Sequence, residues 1–331
     1  MRTNSAPLSF ADLPTNRNVR IRDDVLLQRI VEIVDWSFTE KIHEKLYQAT
    51  VGRKPYDTTR MIRIIFLQQL YGLSDAQVEE RMYDSRSAER FTKSSANDPI
   101  PDETSICRFR NRLVEMKLDK VIFNEVQQQL KENGCVIHKG RIIDATIFEL
   151  PKGRKKDDGT NTRDVSASFT KKNNRTYHGF KGHTASDIHG EFIQKVFVST
   201  ASDHDSIHSD KILDGTEPVV LGDSAYINKK KKRKMKDEGR FYGIVERATR
   251  GHPLSTKQKK RNHKLSRIRV KVEHPYAEIK CRMFFKGRYR SLEKNAWHFS
   301  MVCSVYNIKR MVGKLFKPQK QAVIQCPVYS I

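Results

Sequence analysis

Near Gly134 the apolar pattern of this chain changes period, and that change fixes what the two halves can fold into. Before it, apolar residues recur at helical spacing. Leu26, Leu27, Ile30, Val31 and Val34 follow an i, i+3, i+4 rhythm behind Asp23 and Asp24, which suit a helix start. Phe38 to Tyr47 predicts a second helix, and Thr58 to Tyr71 a stronger one with Met61, Ile64, Ile65, Leu67 and Leu70 along its stripe. Ser74-Asp75-Ala76-Gln77 has the form of a capping box. After the break at Pro99-Ile100-Pro101, helices are predicted over Thr104–Leu113 and Leu118–Leu130. Beyond Gly134 the runs become short, β-branched and apolar: Val136-Ile137, Arg141–Phe148, Thr176–Ala185, Phe192–Ser199, Val219–Leu221 and Tyr242–Val245 predict strands. Residues 152–174 are polar and predict a loop. Helices are expected from Asp205 to Leu213, from Ser255 onward, and over Ala296–Leu315. The fold class is therefore α/β, a mixed sheet with flanking helices behind an all-α N-terminal region. The predicted units are a mobile arm (1–22), an all-helical domain (23–135), a mixed-sheet domain (136–316) and a C-terminal tail (317–331).

Charge narrows the partner. Of 331 residues, 63 are Lys or Arg and 39 Asp or Glu, a formal net charge of +24, which calls for a polyanion. Nucleic acid fits first. A membrane surface fits less well, because mean hydropathy is −0.67 and no apolar run reaches the length of a bilayer span. The first residues have no apolar segment of the signal-peptide kind, so an intracellular, soluble protein is expected. Five cysteines without a C-x-x-C pair indicate free thiols rather than disulfides or a structural zinc site.

Three acids stand out against this basic background. Asp144 lies in Arg141-Ile142-Ile143-Asp144-Ala145-Thr146, and Asp223 in Val220-Leu221-Gly222-Asp223-Ser224-Ala225-Tyr226. A carboxylate ending an apolar run costs free energy unless something pairs with it. If the two strands are neighbours, both acids emerge at one sheet edge, where α/β active sites gather. Glu273 completes the set in Arg269-Val270-Lys271-Val272-Glu273-His274-Pro275-Tyr276. Arg269 precedes it by four residues and Lys280 follows by seven, which places the three on one face of a regular helix. Pro275 requires that helix to kink or to restart. Carboxylate oxygens suit Mg²⁺ or Mn²⁺, and two such ions can serve an in-line displacement at phosphorus. Arg269 and Lys280 are suited to gripping flanking phosphates.

Each of these residues also has a plain structural alternative. Asp144 can be a turn residue, Asp223 a helix N-cap, and Glu278 competes with Glu273 from the same segment. Lys181 and His183 are candidates for approaching DNA, although four nearby histidines show no metal-ligand spacing. Arg108, Arg110 and Arg112 either face solvent or belong to a recognition helix. The basic run Lys229–Lys236 is either a solvated face or a phosphate contact.

Together these residues resemble the DDE transposases of the bacterial insertion-sequence-five family, within the insertion-sequence-four superfamily. Ile143-Asp144-Ala145-Thr146 and Gly222-Asp223-Ser224-Ala225-Tyr226 match the frames of the first two catalytic acids. Arg269, Glu273 and Lys280 match the signature helix, whose usual leading Tyr is Ser266 here. Gly72-Leu73-Ser74-Asp75, Pro101–Ile106, His178–His183 and Arg288–Asn295 extend the similarity over about 52–316.

The resemblance implies a ribonuclease H-like catalytic domain, with Asp144, Asp223 and Glu273 as catalytic and metal-binding residues. It implies two Mg²⁺ or Mn²⁺ ions and binding to terminal inverted repeats and target DNA, in the bacterial cytoplasm at the nucleoid. It also implies a homo-oligomer on paired ends. Two competing functions are a DNA-binding protein that no longer catalyses and a nuclease that cuts without strand transfer.

Overall fold

The computed structural model describes residues 24–47, 54–94, 98–135, 140–154, 156–157 and 161–316. The predicted arm (1–22), the tail (317–331) and the short strand at Val136-Ile137 lie outside the described residues.

Among the described residues seven helices come first: α1 (Val25–Ile33), α2 (Phe38–Leu46), α3 (Thr58–Tyr71), α4 (Asp75–Asp84), α5 (Arg86–Thr92), α6 (Glu103–Glu115) and α7 (Asp119–Glu132). Their starts follow the sequence. Asp24 caps α1 by accepting from the amides of Leu26 and Leu27, and Ser74 and Gln77 form the reciprocal capping box of α4. Gly72 closes α3 in the left-handed conformation (φ 65°), and a Cβ there would lie 2.7 Å from the Met283 carbonyl oxygen.

The second half holds β1 (Arg141–Glu149), β2 (Ser168–Lys172), β3 (Arg175–Asp187), β4 (Ile193–Thr200), β5 (Val219–Gly222) and β6 (Phe241–Ile244). The helices are α8 (Lys229–Asp237), α9 (Thr256–Arg269), the short α10 (Glu273–Ala277) and α11 (Leu292–Leu315). The sheet runs β2-β3-β1-β5-β6, with β4 also paired to β3. β1, β3 and β4 are antiparallel, whereas β5 and β6 run parallel to β1. This mixed sheet with helices on it is the ribonuclease H-like arrangement expected.

Two elements differ from the sequence expectation. β2 occupies part of the predicted loop 152–174 and pairs with β3 across Asn173 and Asn174, both with positive φ (49° and 61°). Two consecutive left-handed residues make the tight hairpin turn that Asn tolerates. The expected helix Asp205–Leu213 is only a 3-10 turn, Asp205–His208. The Glu217 carboxylate takes the Asp214 and Gly215 amides, turning the chain early toward β5.

The core crosses the line between the halves. α11 spans 24 residues, about 36 Å, and packs against α1, α3, α6 and α7 on one side and β3 and β4 on the other. One apolar cluster accordingly includes Leu27, Ile65 and Leu130 from the helices, Phe148 and Phe180 from the sheet, and Phe299 and Val305 from α11. Among the described residues no helix is long and apolar enough to cross a membrane.

Candidate active site

The site begins with strand register. β1 and β5 pair in parallel with Ile143 opposite Gly222, so Asp144, still within β1, and Asp223, just past the end of β5, stand at the same level on adjacent strands. Gly222 is required by close approach: a Cβ would lie 2.8 Å from Ile143 Cγ1 and 2.9 Å from Ile244 Cδ1. Past it, the Asp223 carboxylate accepts from the Ser224 amide at 2.6 Å and opens a 3-10 turn, Ser224–Tyr226. That turn drives Tyr226 into the core behind the acids.

Helical geometry around Glu273 departs from the regular single face expected. α9 ends at Arg269, tightens into a 3-10 turn (Val270–Val272), resumes as α10 at Glu273, then widens into a π turn (Glu278–Arg282). Pro275 stands in the first turn of α10, where an intrahelical amide partner is not needed. The chain therefore restarts rather than kinking at Pro275. Arg269 and Glu273 stay together, with a guanidinium nitrogen 3.7 Å from the Glu273 carboxylate. Lys280 is carried to the far end of β1, where Nζ donates to the Ile147 carbonyl at 2.8 Å. Burial and the neighbouring Lys172 push its proton affinity down.

α10 is pinned under the site by Tyr276. Its buried hydroxyl donates to the Asp144 carbonyl at 3.0 Å and shares a 2.6 Å hydrogen bond with Thr184, the residue opposite Asp144 on β3. Val272 packs with Ile142, Leu221 and Leu265 just beneath.

Electrostatics at Asp144 are those of a crowded acid. Burial pushes its carboxyl up to about 6, with Asp223 adding to the rise and Arg269 opposing it. The second Arg269 nitrogen lies 3.9 Å from Asp144, so this guanidinium stands between Asp144 and Glu273. The Glu273 side chain is 60% exposed and Asp144 only 17%. Among the described residues, no three His, Cys, Asp or Glu side chains come together as a metal-holding group. In donor type the acids fit a hard divalent cation, and Asp144 and Asp223 fit in position too. Glu273 is held apart from them by Arg269.

The remaining candidates separate. Lys181 is engaged internally, with Nζ at 3.0 Å from Asp205 and 2.7 Å from the Asp203 carbonyl. His183 is fully buried, bonded to Ser199 at 2.9 Å, and burial pushes its proton affinity down to about 4. A DNA-facing His183 is thus corrected to a neutral core histidine.

The three arginines of α6 do not form one face, because residues two apart on a helix point nearly opposite ways. Arg108 is exposed. Arg110 is buried, donates both terminal nitrogens to Asp75 (2.5 and 2.7 Å) and stacks on Tyr289. Arg112 lies over Tyr47 and donates to the Leu46 carbonyl. Direct DNA contact by Arg110 is corrected accordingly.

Arg110 instead belongs to a junction that sequence reading missed. Arg288 donates to the Gly72 and Leu73 carbonyls, and Asp75, Arg110 and Tyr289 meet beside it. Three motifs far apart in the chain converge there and bind the helices to the sheet-bearing half. Tyr276 was also missed, although it lies three residues beyond Glu273.

Two family models match the chain. Residues 15–112 match a transposase domain (DUF772), and residues 137–308 match a transposase DDE domain. The chain belongs to the DDE transposase family. The DDE model spans β1, β5 and α10, and so contains Asp144, Asp223 and Glu273. A comparison with solved structures finds no match. Membership makes this a transposase, an enzyme of the polynucleotidyl-transferase type acting on DNA, in a family that uses divalent metal ions.

Proposed function

We propose that the protein is a transposase of the insertion-sequence-five kind, within the insertion-sequence-four superfamily. In this reading it recognises the terminal inverted repeats of its own element, nicks them hydrolytically and joins them to target DNA. Asp144, Asp223 and Glu273 are the proposed catalytic acids. The observation that carries this is the side-by-side placement of Asp144 and Asp223 where the paired parallel strands β1 and β5 part, with Arg269 connecting Asp144 to Glu273.

The reaction proceeds in two displacements at phosphorus. Water adds to the scissile phosphate and the bond to the 3′ oxygen breaks, leaving a 3′-hydroxyl and a 5′-phosphate. That hydroxyl then attacks a target phosphodiester, forming a new bond as the target's own 3′ oxygen departs. Bound Mg²⁺ or Mn²⁺ would supply charge stabilisation for the attacking and leaving oxygens. Asp144, Asp223 and Glu273 would hold the ions, and Arg269, which stands between Asp144 and Glu273, is suited to a DNA phosphate. Tyr276 keeps the Asp144 backbone in place. Lys280, in the π turn, reaches the far end of the strand that carries Asp144 and is suited to a flanking phosphate. No covalent protein–DNA intermediate is needed.

The division of labour proposed is a helical unit (23–135) for end recognition and a catalytic unit (136–316), acting as a homo-oligomer on paired ends in the bacterial cytoplasm, at the nucleoid. The test uses labelled duplexes carrying the repeats that flank the gene, incubated with protein and Mg²⁺ beside a supercoiled plasmid. Nicks at the repeat boundary with 3′-hydroxyl ends, followed by joined products, are expected. Specific binding with no break in Mg²⁺ or Mn²⁺ contradicts the catalytic reading and favours a binding-only protein.

A further inference from the structure

We propose that α8 and α9 form a sequence-independent docking surface for duplex DNA, leading along α9 to Arg269 and the acidic pair. The proposal rests on the transposase reading and assigns the DNA grip to a surface other than the α6 arginines.

The two helices are the most basic elements in the molecule. α8 and α9 each carry seven Lys or Arg, and their only acid is Asp237, so their charge is not balanced within the helices. Tertiary packing uses few of these cations. Met235 is the buried anchor of α8 and Leu265 that of α9. Opposite Leu265, Lys259, His263 and Arg267 follow one another at i, i+4, i+8, with Lys260 and Lys264 alongside. All five are exposed, and none has a carboxylate partner among the described residues. On α8, Lys229, Lys230 and Arg233 are similarly exposed.

What joins the helices is a single acid. The Glu246 carboxylate takes Lys232 of α8 at 2.9 Å and Gln258 of α9 at 2.8 Å, while Asn262 bonds its backbone at both N and O. Arg261 reaches the Tyr242 and Ile244 carbonyls of β6. Two basic helices are thus fixed to one strand through a few inward groups, leaving the outward cations free. Such an arrangement has no packing purpose, because like charges held together repel.

Dimensions and composition select the partner. α9 is 14 residues, about 21 Å, which covers roughly six base pairs of duplex at 3.4 Å each. Its outward row steps by about 6 Å, a ladder of cations in which Lys259, Lys260 and Lys264 are point charges suited to backbone phosphates. One large apolar side chain of α9, Ile268, is exposed, and it flanks Leu265 rather than the outward row, short of the apolar face that a membrane-lying helix inserts. The final turn of α9 brings Arg269 to Asp144 and Glu273 from the Leu265 face, so the ridge lies beside the acids at this end of the helix.

The experiment measures fluorescence anisotropy of a 30-base-pair random duplex against salt in EDTA, using Lys259→Gln/Lys260→Gln/Lys264→Gln/Arg267→Gln. A second variant, Lys229→Gln/Lys230→Gln/Arg233→Gln, alters α8 alone. The control, Lys152→Gln/Arg154→Gln/Lys156→Gln/Lys211→Gln, removes four exposed charges outside both the helical unit and the ridge. The α9 variant is expected to bind at least 10-fold more weakly and to lose about 2 to 4 units of log–log salt slope. The α8 variant follows to a lesser degree, and the control stays within about threefold of wild type. Wild-type binding by folded α9 and α8 variants overturns the proposal, as does an equal loss in the control. Tighter ridge-dependent binding of single-stranded DNA overturns the duplex assignment. Binding in EDTA is independent of cleavage. A ridge that binds without nicking at the element's ends therefore indicts the transposase reading alone.

Discussion

The hydroxyl of Tyr276 donates to the main-chain carbonyl of Asp144 at 3.0 Å, tying the helix that carries Glu273 to the strand that carries the first acid. A bond to backbone fixes the strand without neutralising the carboxylate. It also explains why α10 holds its place despite the 3-10 turn before it and the π turn after it.

Tyr276→Phe keeps the ring and removes this bond, leaving the carbonyl and the Thr184 hydroxyl short of a partner. The expected loss is about 1–3 kcal/mol of stability in urea unfolding. Nicking falls more than DNA binding does. A variant as stable and as active as wild type argues against the pinning role.

Asp144→Asn should raise thermal stability while removing cleavage. The folded carboxyl sits at about 6, above its ordinary 3.8. A raised acid favours the folded state as pH falls from about 6 toward 3.8, and its charged form opposes folding above 6. At pH 7 the neutral isostere relieves that opposition, by up to about 3 kcal/mol. Differential scanning calorimetry without metal reads it, and a lowered melting temperature contradicts it.

Asp75→Asn leaves the buried Arg110 guanidinium without its counter-charge. A loss of about 2–4 kcal/mol is expected, somewhat below that of a fully buried pair because Asp75 is partly exposed. If Arg110 served DNA instead, Asp75→Asn would preserve stability and alter duplex affinity.

Acid sensitivity should come from two core histidines. Burial pushes His183 down to about 4, and burial with Arg288 and Arg110 pushes His298 down to about 3. A depressed histidine contributes stability that is complete above about 6.5 and is lost as pH falls toward the folded value. The melting temperature is expected to drop between pH 7 and 5, and His298→Gln to flatten that drop. An unchanged slope in the variant excludes His298 as a source.

Legibility in the sequence followed the physics of each element. Most of the helices, five of the strands and the pairing of acids were legible because caps, apolar period and β-branched runs are local signals; α5 is short, and α8 has Met235 as its one buried anchor in a basic run. β2 was not, because its residues are polar and exposed; only Asn173-Asn174 hinted at a hairpin. The early end of the turn at His208 depends on Glu217, nine residues on, which no local pattern announces. The acids Asp144 and Asp223 were framed by apolar runs, but the position of Arg269 between Asp144 and Glu273 depends on a change of helix type. Arg110 shows the opposite failure: a basic residue in a basic chain reads as a DNA contact until its partner, Asp75, is found 35 positions away.

The most direct test of the central claim compares Mg²⁺-dependent nicking of terminal-repeat duplexes by wild type, Asp144→Asn, Asp223→Asn and Glu273→Gln, with duplex binding measured in parallel. The account predicts that each substitution lowers nicking at least 100-fold while binding stays within a few-fold of wild type, since all three acids act on the reacting phosphate. Nicking that survives in Asp144→Asn or Asp223→Asn at near wild-type rate would contradict the assignment of the acidic pair as the catalytic centre.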